Sequence, residues 1–205
     1  MTMIETRHVE TSVHGRYLLR SGPEERVLIG FHGYAENAEA HMAELEKLPG
    51  AGDWTLVAVQ ALHPFYVRRS PEVVASWMTR VDREHAIADN VAYVRRVVEQ
   101  FPAARVVVFA GFSQGAAMAW RAAAAIRSAG LIVLGGGVPP EVERSTDLPP
   151  ALVGRGARDD WYTEVKLKKD LKFLEGADVT FCFFDGGHEW AEEFRRAAGE
   201  FLKRF

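Results

Sequence analysis

Arg105-Val106-Val107-Val108-Phe109-Ala110-Gly111-Phe112-Ser113-Gln114-Gly115 is the stretch whose reading decides the fold. An apolar run ends in Gly-x-Ser-x-Gly, and an alanine-rich stretch from Ala116 to Ala125 follows. That order predicts a strand, a tight turn and a helix. Glycines flank the serine because strand end and helix start approach too closely for larger side chains, and the sharp turn presents the hydroxyl to solvent. The five-residue string arises by chance often enough that the flanking strand and helix carry the argument. Ser113 is the candidate nucleophile.

Five further apolar runs surround this one: Val27 to Phe31, Trp54 to Val59, Leu131 to Leu134, Ala151 to Gly154 and Val179 to Phe184. They are continuous, as strands must be when helices cover both faces of a parallel sheet. Helical stripes lie between them. Ile87, Val91, Val94, Val98 and Phe101 form one before Pro102; Leu167, Leu171 and Leu174 form another before Gly176; Trp190, Phe194, Ala197 and Phe201 form the last. Ile4 to Arg20 reads as one or two antiparallel strands turning near His14-Gly15. Gly135 to Pro150 reads as a loop. The expected fold is α/β, with a doubly wound, mostly parallel sheet flanked by helices, no large cap, and one domain over 1–205.

Composition narrows the function. In 205 residues, 48% hydrophobic and 26% charged content excludes disordered and collagenous classes. A net charge of -3 with both signs interspersed leaves no footprint for nucleic acid. No run reaches the roughly 18 apolar residues of a membrane span, and the N-terminus from Met1 lacks a signal-peptide core, so integral membrane association is not expected and the expected location is cytoplasmic. The single cysteine, Cys182, agrees with a reducing compartment and reads as a small core residue. His8, His14, His41, His63 and His85 show no metal-ligand spacing and read as surface or loop residues, so no metal is expected. Gly135-Gly136-Gly137 lacks phosphate-loop spacing, and the lysines from Lys166 to Lys172 read as a solvated helix face.

A serine hydroxyl needs a histidine to take its proton, and the histidine needs a carboxylate to hold its tautomer. Loops at the carboxyl ends of parallel strands share one sheet edge, which restricts the candidates. His188, after the last strand and behind Gly186-Gly187, is the candidate base. Asp159 is the candidate acid, with Asp160 as the neighbouring alternative and a reading of its own as a helix cap; Asp147 and Asp185 are lesser alternatives. For the oxyanion of a tetrahedral intermediate, the backbone amides of Gln114 and Tyr34 are the candidate donors, with His32 bracing the Tyr34 loop.

These residues resemble the α/β-hydrolase superfamily, specifically its phospholipase/carboxylesterase branch, which includes acyl-protein thioesterases. Gly111-Phe112-Ser113-Gln114-Gly115 with Met118, His32-Gly33 and Gly187-His188 carry the resemblance. Leu134-Gly135-Gly136-Gly137-Val138-Pro139 and Ser76-Trp77-Met78-Thr79 are looser matches. The resemblance implies hydrolysis of a small-molecule carboxylic ester or thioester with no cofactor, and it carries over Ser113, Asp159 and His188 as nucleophile, acid and base. Trp77 and Met78 become candidate substrate contacts, although Trp77 also reads as a core anchor. Met78-Thr79 and Trp161-Tyr162-Thr163 depart from the family pattern, so the acyl pocket is expected to differ. The competing readings are a ligand-binding protein on the same fold, or a peptidase or dienelactone-type hydrolase.

Overall fold

Continuous apolar strands serve two cores at once, because successive side chains point to opposite faces. In the computed structural model, which describes residues 3–143 and 147–205, Val27, Ile29 and Phe31 enter one core while Leu28 enters the other. Val57 and Val59 separate from Leu56 and Ala58 in the same way.

The elements run β1 (Tyr17–Arg20), β2 (Arg26–Phe31), α1 (Ala38–Leu45), β3 (Thr55–Val59), β4 (His63–Tyr66), β5 (Val73–Ser76), α2 (Arg83–Val98), β6 (Val106–Phe112), α3 (Gln114–Ala125), β7 (Gly130–Leu134), β8 (Ala151–Gly156), α4 (Glu164–Phe173), β9 (Val179–Phe184) and α5 (Glu192–Leu202). Seven strands form one sheet in the order β1-β3-β2-β6-β7-β8-β9. All neighbours are parallel except β1, which runs antiparallel to β3. Residues of α2, α3 and α4 fill the core on one face, and residues of α1 and α5 fill the other. The strand carrying Ser113 at its end, β6, is therefore central, and the loops after β2, β7, β8 and β9 reach the same edge. Among the described residues no insertion forms a large cap over that edge, and no helix is long and apolar enough to cross a membrane.

The N-terminal segment keeps one of the expected antiparallel strands and lacks the expected turn. A single strand forms, Tyr17–Arg20, and no hairpin turns at His14-Gly15. The stretch before it is exposed, with Met3, Ile4, Val9 and Val13 scattered rather than alternating, so no second strand has a continuous apolar face to bury. Residues 1 and 2 of this segment, and 144–146 of the loop read between Gly135 and Pro150, lie outside the described residues. Helix α1 and the β4–β5 hairpin add to the expected elements. Asn37 starts α1 by accepting the Ala40 N–H at 2.9 Å. Two residue expectations also change. Cys182 is half-buried on the edge strand β9, and Leu171 is partly exposed because Asp170 takes the buried place on α4.

Candidate active site

The turn at Ser113 is as tight as its glycines require. A Cβ at Gly111 would collide with the Gly115 carbonyl, and a Cβ at Gly115 would collide with the Phe31 carbonyl. Ser113 itself sits at φ 55° and ψ −116°, a conformation that costs a non-glycine residue free energy and persists because both flanking elements are fixed. Its N–H donates to the Leu134 carbonyl at 2.9 Å, tying the turn to β7.

Residues 75 and 29 positions apart in sequence meet over this turn. The Ser113 Oγ lies 2.8 Å from His188 Nε2, and His188 Nδ1 lies 2.9 Å from Asp159 Oδ2. Because a carboxylate only accepts, Nδ1 carries the imidazole proton and Nε2 is free to accept from the serine hydroxyl. Asp159 is 4% exposed. Its other oxygen accepts the Trp161 and Tyr162 N–H groups at 2.9 and 2.7 Å, which fixes the carboxylate independently of the histidine. The alternatives are elsewhere. Asp160 is exposed and does not cap α4, whose N-cap is Thr163; Asp185 pairs with Arg158; Asp147 is an exposed loop residue.

The N–H groups of Tyr34 and Gln114 have no acceptor among the described residues, and both residues line the cleft in front of Ser113. Gln114 is the first residue of α3, so its amide also lies at the positive end of the helix dipole. The loop carrying Tyr34 is clamped from several sides. Ala35 N–H donates to the Ala75 carbonyl, and Ala75 N–H returns a bond to Glu36. Glu36 Oε2 accepts the Gly33 N–H at 2.7 Å. Beneath it His32 is fully buried: Nδ1 donates to the Gly33 carbonyl at 2.7 Å, and Nε2 accepts the Ala61 N–H at 3.1 Å. Burial pushes its pKa down to about 4, so His32 stays neutral and braces the loop.

Neither Trp77 nor Met78 is among the residues lining the cleft. Trp77 is fully buried, and its indole N–H donates to the His32 carbonyl at 2.8 Å. The Gln114 side chain explains the placement: its Oε1 accepts the Trp77 N–H at 2.8 Å, and its Nε2 donates to the Met78 carbonyl at 2.9 Å. The segment therefore props the turn from behind. His41 is corrected: it is buried in α1, not at the surface.

The cleft itself, about 590 Å³, runs between Tyr34 and Trp161, both largely exposed, over Gly135, Gly136 and Gly137. Glu36 and Lys166 line the cleft without having been candidates from the sequence, and Tyr162 lies in the segment where the acyl pocket is expected to differ. The signal available for Glu36 was its place in the loop between His32-Gly33 and the Asn37 cap. Tyr162 joins two loops, because its hydroxyl donates to Asp170 at 2.8 Å, and the same carboxylate oxygen accepts the Val138 N–H at 3.2 Å. Burial raises the pKa of both Tyr162 and Asp170. Among the described residues no cluster of histidine, cysteine and carboxylate side chains is arranged to hold a metal.

A seven-stranded, mostly parallel sheet with a serine at a strand-to-helix turn in its centre is the α/β-hydrolase fold, and solved structures agree. Esterase PE8 matches with a TM-score of 0.77 at 21% identity, covering 94% of this chain and 99% of that one. Acyl-protein thioesterase 2 of Zea mays gives 0.75 at 19% identity, over 93% and 99%. The carboxylesterase of Bacillus cereus gives 0.73 at 16%, over 93% and 94%. No protein-family model and no curated protein matches the chain.

Proposed function

We propose that this chain is a serine hydrolase of carboxylic esters or thioesters, related to the phospholipase/carboxylesterase family, that works through an acyl-enzyme on Ser113. The observation that carries the reading is the continuous hydrogen-bonded line from Ser113 Oγ through His188 to Asp159. It is supported by two free N–H groups, those of Tyr34 and Gln114, beside the same cleft.

In this reading Ser113 Oγ attacks the acyl carbonyl while His188 Nε2 takes the hydroxyl proton. The carbonyl oxygen becomes an oxyanion held by the Tyr34 and Gln114 N–H groups. His188 returns the proton to the leaving alcohol or thiol as the C–O or C–S bond breaks. Water then enters, His188 takes its proton, and the second tetrahedral intermediate collapses to release the acid and restore Ser113. Asp159 keeps the imidazole in its tautomer and stabilises the imidazolium. No step needs a metal or cofactor.

The test is a fluorophosphonate probe followed by peptide mapping. The reading predicts one covalent adduct, on Ser113, lost in Ser113→Ala. A ligand-binding protein with an unactivated serine stays unlabelled, and that result contradicts the proposal.

A further inference from the structure

The cleft before Ser113 holds one carboxylate, and the proposed steps leave it unused. Glu36 lines the cleft, and only one of its oxygens is committed, to the Gly33 N–H. The other has no hydrogen-bond partner among the described residues. The charged groups acting on the carboxylate are His188 and Glu44, with no lysine or arginine among them. That leaves one carboxylate oxygen available to a cationic group in the cleft.

Its surroundings fix the sign of that partner. Tyr34 lies two residues away, largely exposed, with its ring 5.7 Å from Phe65. Aromatic faces attract cations. On the far side of Ser113 the charge reverses. Lys166 lines the cleft beside Trp161, its Nζ donating to the Trp161 carbonyl. The loops after β2 and β8 stand on opposite sides of β6 in the sheet, so the cleft is polarised across the nucleophile. A cationic substrate group is repelled from the Lys166 end and drawn to the Glu36 end.

We propose that Glu36 is a specificity-determining residue selecting esters or thioesters that carry an ammonium group close to the scissile carbonyl. The proposal rests on the reading of Ser113 as the nucleophile. The experiment compares substrates of matched shape with and without the charge, on each side of the reacting bond. Acetylthiocholine is paired with 3,3-dimethylbutyl thioacetate, and alanine p-nitrophenyl ester with p-nitrophenyl isobutyrate. For each pair the ratio of kcat/KM, charged over neutral, is measured in the wild type and in Glu36→Gln, whose side-chain carbonyl can still accept the Gly33 N–H.

In at least one pair the ratio falls about tenfold or more in Glu36→Gln, the size expected when a close carboxylate–ammonium attraction is removed. Damage to the loop or to folding lowers both members of a pair together and leaves the ratio alone. A ratio unchanged in both pairs overturns the proposal. Fluorophosphonate labelling of the wild type separates the two levels: if Ser113 is labelled and the ratio does not move, only the role of Glu36 fails. If Ser113 stays unlabelled and no ester turns over, the serine reading fails and takes this one with it.

Discussion

His188 and His41 sit at the two ends of one run of packed rings, yet their nitrogens are treated in opposite ways. His188 lies 4.9 Å from Phe112, Phe112 lies 6.0 Å from Trp190, and Trp190 lies 5.9 Å from His41, centroid to centroid. At one end both imidazole nitrogens are bonded, to Ser113 and Asp159. At the other, 1% exposed, neither has a partner among the described residues. Only an imidazole with a donor on one side and an acceptor on the other can pass a proton along a defined line. An imidazole with neither is a core side chain, held neutral by burial that pushes its pKa down to about 3. Burial alone therefore says nothing about function here; the partners decide.

The sharpest way to break this contrast is at the bonded end. Ser113→Ala and His188→Ala are each expected to lower kcat by about 10⁴-fold or more, and the double variant to do little further harm, because the two act as a unit. Steady-state kinetics on p-nitrophenyl acetate checks this. Losses that multiply in the double variant contradict it. Asp159→Asn is the next largest. An amide can donate to Nδ1 and hold the wrong tautomer, so kcat/KM is expected to fall about 10²- to 10⁴-fold with folding retained. A loss below about threefold makes the Asp159 contact incidental.

The unbonded end is tested by stability rather than rate. His32 and His41, with pKa values near 4 and 3 in the fold, charge more readily when unfolded, near 6.5. The unfolded chain thus binds more protons as pH falls, so their contribution is complete above about pH 6.5 and is lost progressively towards pH 3. Denaturant titrations across that window are expected to show the decline. His41→Leu removes the His41 share of it and frees the core of two unpaired nitrogens. At pH 7 the variant is expected to gain about 1 kcal/mol, a rise of roughly 2–4 °C in Tm, with esterase rate unchanged. Lower stability in His41→Leu shows that the ring is more than a buried core residue.

The same contrast marks what the sequence made legible. That the side chains of Ser113, Asp159 and His188 meet is legible because strand order is a spatial filter: each follows an apolar run, and parallel strands deliver their carboxyl ends to one edge. Six core strands followed from their uninterrupted hydrophobicity for the same reason. On the β2–β5 side the filter fails. Helix α1 is short, and one of its buried positions is a histidine, so apolar spacing does not expose it. Gly30 makes room for that histidine, since a Cβ there would press on the His41 ring. That fit is tertiary and leaves no local trace. Of the two readings of Trp77, its burial supports the core anchor. The string Ser76-Trp77-Met78 looks like a wall until the Gln114 side chain is seen to grip its backbone from behind.

Acid-quenched mass spectrometry of the protein during turnover of p-nitrophenyl acetate bears most directly on the central claim. The account predicts a single acetyl group on the peptide containing Ser113, absent from Ser113→Ala, which also loses turnover. An acetyl group on another residue, or hydrolysis persisting at the wild-type rate in Ser113→Ala, contradicts it.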